Sequence, residues 1–220
     1  MIPDWLRSIR ERFDAHAPAF FVDHPAPPDP LRASAVLVLF WRDPTGAIRL
    51  VLTERAHDLR SHAAQVVFPG GHIDPGETPV QAALREANEE IGLETLTVEV
   101  IDELPGIYLQ PPQAAVVPVL AWWHSPHPVG VVDPREVRRV LLPTLDQLVD
   151  PNQRFTATAP GGFTGLGFFV EDLVVWGLTA ELLEAILELG RRVQPWDESV
   201  THPLPYRLLA AYAGEFQTPS

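Results

Sequence analysis

Gly71-His72-Ile73-Asp74-Pro75-Gly76-Glu77-Thr78-Pro79-Val80-Gln81-Ala82-Ala83-Leu84-Arg85-Glu86-Ala87-Asn88-Glu89-Glu90-Ile91-Gly92-Leu93 carries the best-defined helix signal in this chain of 220 residues. Thr78 is a natural N-cap, Pro79 suits the first helical position, and Gln81 completes a capping box with Thr78. Gly92 stands where a glycine ends a helix. Between these limits Val80, Ala83, Leu84, Ala87 and Ile91 recur at helical spacing and form one apolar face. Glu86, Glu89 and Glu90 occupy positions i, i+3 and i+4, spread over roughly 100° of surface away from that face. A solvated face is the ordinary reading of clustered charge. Here, however, like charges at this spacing repel by about a few tenths of a kcal/mol per pair, and they lie at the negative end of the helix dipole. Arg85, four residues before Glu89, offsets only part of this. A bound cation would settle the rest, and hard carboxylate ligands favour Mg²⁺ or Mn²⁺ over a thiophilic metal.

Immediately upstream, Phe68-Pro69-Gly70-Gly71 reads as a turn whose glycines let the backbone approach the same site, where a carbonyl can add a ligand. Gly71, Glu77, Arg85, Glu86, Glu89, Glu90 and Gly92, with Leu93 after them, match the Nudix box at every fixed position. Chance would produce such a match on the order of once in a million sequences of ordinary composition. The chain therefore resembles the Nudix hydrolases, although Ala87 stands where a larger aliphatic residue is usual. The resemblance implies an α/β architecture, the Nudix fold, with a mixed β-sheet sandwiched between α-helices. It also implies that Glu86 and Glu90 are the principal metal ligands, with Glu89 a further ligand or the catalytic base. The Gly70 carbonyl would join the coordination shell, Arg85 would orient the glutamates, and Glu77 would brace the loop or contact metal through water. On chemical grounds, divalent ions neutralise a diphosphate, activate water and stabilise the leaving phosphate. Crowded carboxylates raise one another's pKa, which helps one of them act as a base near neutrality.

A second resemblance lies in Leu52-Thr53-Glu54-Arg55, Arg60 and Phe68-Pro69-Gly70-Gly71, which match in register the extra motif of the Nudix coenzyme A pyrophosphatases. Ala56 replaces a common serine there, and Ala64 an expected glycine. Val175-Trp176-Gly177-Leu178-Thr179-Ala180 is also similar to the C-terminal region of that family. The implied reaction splits coenzyme A, or an acyl-coenzyme A, into 4′-phosphopantetheine and adenosine 3′,5′-bisphosphate. Guanidinium groups bind phosphate through paired hydrogen bonds, so Arg55 and Arg60 are candidate substrate-binding residues, as is His62; surface ion pairing is the alternative for the arginines. Hydrolysis of ADP-ribose or another nucleoside diphosphate derivative is the nearest rival function. A non-catalytic Nudix-like ligand sensor is a rival of another class, though a sensor has no need of the full acidic pattern.

Composition sets the outer bounds. The chain has no cysteine, and all 16 basic residues are arginine, which excludes disulfides, thiolate zinc sites, Schiff-base lysines and the P-loop lysine. A net charge of −13 disfavours nucleic acid and anionic membranes. The expected partner is a small-molecule nucleotide substrate, and the protein is expected as a monomer or homodimer. No run approaches a membrane span, and the charged first residues do not fit a signal peptide, so a cytoplasmic location is expected.

The length suits one domain with terminal additions. Residues 1–30 are predicted as an N-terminal helix (residues 3–14, with Trp5, Leu6, Ile9 and Phe13 on one side) followed by a proline-rich linker, 31–195 as the Nudix domain and 196–220 as a C-terminal extension. Predicted strands are Ala33–Trp41 with hairpin partner Ile48–Thr53, then Gln65–Phe68, Thr95–Ile101, Val116–Trp123 and Phe168–Trp176. Leu145–Val149 and Thr179–Arg192 read as helices. Glu136 is the main rival to Glu89 as general base, with a solvated acid as the alternative. The glycine-rich Gly161–Gly167 reads as a hairpin or loop, Tyr108–Gln113 as a loop, and Trp122 and Trp123 as packing on opposite strand faces. His57, His72, His124 and His127 show no zinc spacing.

Overall fold

The structure, a computed structural model, describes residues 1–57, 63–110 and 113–210. Three short helices open the chain: α1 (Asp4–Arg7), α2 (Ile9–Ala15) and α3 (Ala19–Asp23). The sequence predicts one continuous helix over residues 3–14, but it breaks at Ser8, whose hydroxyl donates to the Asp4 and Trp5 carbonyls (3.0 and 3.2 Å). Such side-chain bonds compete with the helical ladder. Trp5, Leu6 and Ile9 are buried nonetheless, in the same core as Val38 and Phe40 of the first strand.

That strand, β1 (Arg32–Arg42), is the longest, and its apolar run reflects burial on both faces. It runs parallel to β8 (Ala114–Trp123) in continuous register from Arg32↔Ala114 to Trp41↔Trp123. β2 (Ile48–Leu50) and β6 (Val98–Glu103) complete the sheet in the order β2–β1–β8–β6, with β5 (Gly70–His72) pairing the first half of β1 and β7 (Ile107–Leu109) pairing β8. Leu37 and Leu39 face the core under α4 (Pro79–Ile91), while Val38 and Phe40 face the opposite one. Trp122 and Trp123 divide between the two cores in the same way. α5 (Leu145–Val149), α6 (Gly177–Leu189) and the N-terminal helices cover the second face, so the mixed sheet lies between helical layers.

Two smaller sheets flank it: β4 (Val66–Val67), β3 (Leu52–Arg55) and β9 (Val137–Leu141) in the order β4–β3–β9, and β10 (Arg154–Ala159), β11 (Phe163–Val170), β12 (Leu173–Trp176) and β13 (Thr201–Pro203) in the order β12–β11–β10–β13. The segment predicted as one hairpin partner, Ile48–Thr53, is therefore two strands. After Val51 donates to the Leu39 carbonyl (3.0 Å), the chain leaves β1 and pairs with β9. The predicted Phe168–Trp176 strand likewise folds back at Glu171, which takes a left-handed φ of 55°. Thr95–Thr97 form a 3-10 turn ahead of β6, and Tyr108 and Leu109 belong to β7 rather than to a loop. The glycine-rich segment is the β10–β11 hairpin, in which Gly167 lets the Phe155 ring lie where a Cβ would come within 2.6 Å. α7 (Tyr206–Ala210) ends the described chain, with Leu204 and Leu208 packed in a third core alongside Phe155 and Trp176.

Candidate active site

The predicted capping box holds α4 in place: the Thr78 hydroxyl accepts from the Gln81 amide (3.2 Å) and the Gln81 side chain accepts from the Thr78 amide (2.8 Å). Gly92 ends the helix at φ 73°. Ala82, Ala83 and Ala87 lie fully buried on the sheet, and their small side chains let the helix approach closely. That proximity draws Glu90 inward, leaving it 2% exposed, and half-buries Glu86.

Two glycines complete the approach. A Cβ on Gly70 would meet the Ala35 carbonyl oxygen at 2.3 Å, and one on Gly71 would meet the Glu86 carboxylate at 2.4 Å. The Gly70 amide donates to Glu90 Oε2 (3.2 Å). Glu90 Oε1 is buried with no hydrogen bond among the described residues, and Arg55 Nη1 approaches it at 3.8 Å. Burial pushes the Glu90 carboxyl up to about 7; Arg55 and the Gly70 amide pull it down, while Glu86 and Glu136 push it further up. Burial also raises Glu86, against the pull of Arg85 and with Glu89 and Glu136 adding to the rise.

Arg85 binds Glu77 through two nitrogens (2.8 and 3.0 Å), Glu86 (2.9 Å), Glu89 (3.1 Å) and the His72 carbonyl (3.0 Å). Its hydrogen bonds, with that of the Asp74 amide, hold the Glu77 carboxyl below the usual range. Glu77 thus ties the loop to the helix through Arg85. Glu89 is 58% exposed and hangs at the mouth of the site.

Glu136 arrives from the loop between β8 and β9. That loop is strapped to the end of α4: Gly130 donates to the Ile91 carbonyl (3.1 Å), Val132 to the Glu90 carbonyl (3.0 Å), and His127 Nε2 accepts from the Glu94 amide (3.0 Å). The first two satisfy carbonyls that a helix terminus leaves open. As a result, Glu86, Glu90 and Glu136 bring carboxylate oxygens within 4.8 Å of one another. Glu89 stands outside this trio but, with Asp133 and Arg135, lines the same cleft of about 260 Å³. Three converging carboxylates, one carrying a buried oxygen without a hydrogen bond, form a donor set suited to a hard divalent cation.

Arg55 lies against the site, whereas Arg60 and His62 fall outside the described residues. Glu54, which the sequence did not single out, turns to the other side of β3 and is buried with His57 (2.9 Å) and Arg139 (3.1 Å). His72 contributes its carbonyl to Arg85, and His124 bonds Ser125. Asp133 and Arg135 were also missed as cleft residues; the turn-forming Asp133-Pro134-Arg135 next to Glu136 was their one local signal. Ala64, where the motif expects glycine, takes a φ of 60°, a conformation glycine adopts without strain.

A family model described as NUDIX domain matches residues 31–160. Among curated proteins, the "Uncharacterized Nudix hydrolase NudL" of Salmonella paratyphi B and that of Salmonella newport are each 35% identical over 167 residues, covering 72% of this chain and 83% of theirs. Among solved structures, a NUDIX hydrolase from Nitrosomonas europaea aligns with a TM-score of 0.51 at 16% identity over 80% of each chain, a likeness of fold.

Proposed function

The chain belongs to the NUDIX-domain family and is a Nudix hydrolase, and from that premise we propose that it hydrolyses the diphosphate of coenzyme A or an acyl-coenzyme A. The products would be 4′-phosphopantetheine, or its acylated form, and adenosine 3′,5′-bisphosphate. The observation that carries this reading is that both ends of the coenzyme A pyrophosphatase-like stretch meet on one carboxylate. Arg55, near its start, approaches Glu90 Oε1, and Gly70, at its end, donates to Glu90 Oε2. These two contacts support reading the motif and the hydrolytic centre as one site.

In this reading Glu86, Glu90 and Glu136 hold Mg²⁺ or Mn²⁺, with the Gly70 carbonyl as an added ligand. A bound divalent ion neutralises phosphate charge and makes water a stronger nucleophile. The chain's own groups do the rest. Arg85 fixes Glu86 and Glu89 by hydrogen bonds, so their carboxylates need no reorganisation as charge develops. Glu89, with one oxygen on Arg85 and its side chain largely open to the cleft, takes the proton from the attacking water. Arg55 is the substrate-binding arginine in this reading, and Arg60 and His62, which lie outside the described residues, keep the same role as proposals from the motif alone. The Arg55 side chain is 20% exposed, and that open part of the guanidinium can donate to a phosphate oxygen.

A panel assay with Mg²⁺ or Mn²⁺ tests the reading, with products identified by mass. Coenzyme A or its thioesters should be consumed, releasing adenosine 3′,5′-bisphosphate. Preferential loss of ADP-ribose or a dinucleotide would transfer the assignment to another nucleoside diphosphate derivative. Ala56 and Ala64, where the motif has serine and glycine, are the residues that favour this rival.

A further inference from the structure

Six residues line the acidic cleft, and five of them are carboxylates: Glu86, Glu89, Glu90, Asp133 and Glu136. The sixth, Arg135, is the one cation among the lining residues, and 88% of its side chain is exposed at the mouth. A diphosphate approaching this cleft meets repulsion from the carboxylates that a bound divalent ion offsets only in part. Arg135 is also held in a defined pose. Asp133 grips it with a fork, Nε to Oδ1 at 2.9 Å and Nη2 to Oδ2 at 2.6 Å, and the Arg135 amide adds a third bond to Oδ1 at 2.9 Å. Nη1 makes no hydrogen bond among the described residues, so both of its N–H donors remain open. The strap fixes this clasp relative to α4 through Val132 and Gly130.

We propose that Arg135 is a substrate-binding residue that grips a phosphate of the diphosphate at the cleft mouth, and that Asp133 is its positioning residue. This rests on the diphosphatase reading above and adds to it a cation outside both the Nudix box and the upstream motif.

The test is equilibrium binding of α,β-methylene-ADP, a diphosphate analogue whose carbon bridge resists hydrolysis, measured by calorimetry in saturating Mg²⁺. Mn²⁺ affinity is measured separately without nucleotide. Arg135→Gln should weaken analogue binding about tenfold and leave Mn²⁺ affinity within about twofold. Asp133→Asn should weaken analogue binding by a smaller factor, and should add nothing in the Arg135→Gln background. A purely structural clasp would instead give equal losses in the two single variants and in the double variant, and that result would also overturn the proposal. Unchanged analogue binding in Arg135→Gln, a matching loss of Mn²⁺ affinity, or no analogue binding by the unmodified protein would each overturn the proposal. Hydrolysis of the nucleotide panel by the unmodified protein reports separately on the diphosphatase reading, so the two can fail independently.

Discussion

Glu90 concentrates the tension of the site in one side chain. It is almost fully buried, one oxygen lacks a hydrogen bond, and its carboxyl is pushed from 4.5 to about 7. In the metal-free protein a folded-state pKa above the unfolded value means that folding favours the protonated form. The stability this contributes is fully present below pH 4.5 and is lost as pH rises through about 7. Thermal unfolding in EDTA should therefore show a midpoint falling across this window, and Glu90→Gln should flatten that component. Mn²⁺ affinity should run the other way and tighten as pH rises through about 7, because only the carboxylate ligates. A metal affinity indifferent to pH there would show that Glu90 is not a ligand. Glu89 poses the complementary case, being exposed and held only by Arg85. With a general-base role, Glu89→Gln should lower kcat by about 10²–10⁴-fold with the unfolding midpoint little changed, and full activity would move the role to Glu136. Both glutamates were legible in the sequence through helical spacing, whereas their difference in burial was not. It depends on how closely α4 lies against β1 and β8, and that contact is made by residues far apart in the chain.

At the scale of elements, α4 was readable to both ends because its signals are local: a capping box, a proline, a terminal glycine and an apolar face. All three carboxylates of the trio were singled out in the sequence, Glu136 as a rival base, but their convergence was not readable. Glu86 and Glu90 share the helix, but Glu136 enters through a strap whose bonds to the Glu90 and Ile91 carbonyls have no sequence signature. The split of Ile48–Thr53 was hidden for a similar reason, since β3 finds its partner β9 more than 80 residues away. The two glycines of β5 offer a test of how these elements meet. Gly71→Ala places a methyl against the tip of a side chain, the Glu86 carboxylate, which can swing aside. The fold should survive, with an unfolding midpoint within a few degrees, while Mn²⁺ affinity falls at least about tenfold. Gly70→Ala instead drives a methyl into the Ala35 backbone from a φ of 154°, so it should lower stability directly, by about 1–3 kcal/mol. Denaturant titration and metal titration of the two variants should thus give opposite signatures. If Gly71→Ala bound Mn²⁺ normally, Glu86 would not need its present position.

Across the described residues, α4 with its acidic cleft and the N-terminal helices sit on opposite faces of the same sheet, which should separate stability from chemistry. Trp5 meets Phe40 of β1 edge-on at 5.3 Å and lies where a Cβ on Gly190 would come within 2.6 Å of it. Arg12 donates to the Leu189 carbonyl at 2.7 Å, closing the end of α6, and Arg192 stacks over Trp5. The sequence placed this segment outside the central domain because the proline-rich stretch reads as a linker; the packing of Trp5, Leu6 and Ile9 into the main core is a long-range contact that no local pattern announces. Leu6 is fully buried there, whereas Leu31 is 78% exposed. Leu6→Ala should therefore cost about 2–5 kcal/mol by leaving a cavity, against less than about 0.5 kcal/mol for Leu31→Ala. Because β1 carries Phe40 on one face and the α4 contacts on the other, the folded fraction of Leu6→Ala should keep the KM and Mn²⁺ affinity of the unmodified protein well below its lowered midpoint. Urea unfolding paired with kinetics at low temperature checks both halves. A Leu6→Ala protein as stable as the unmodified chain would mean that the N-terminal helices are an appendage rather than part of the core.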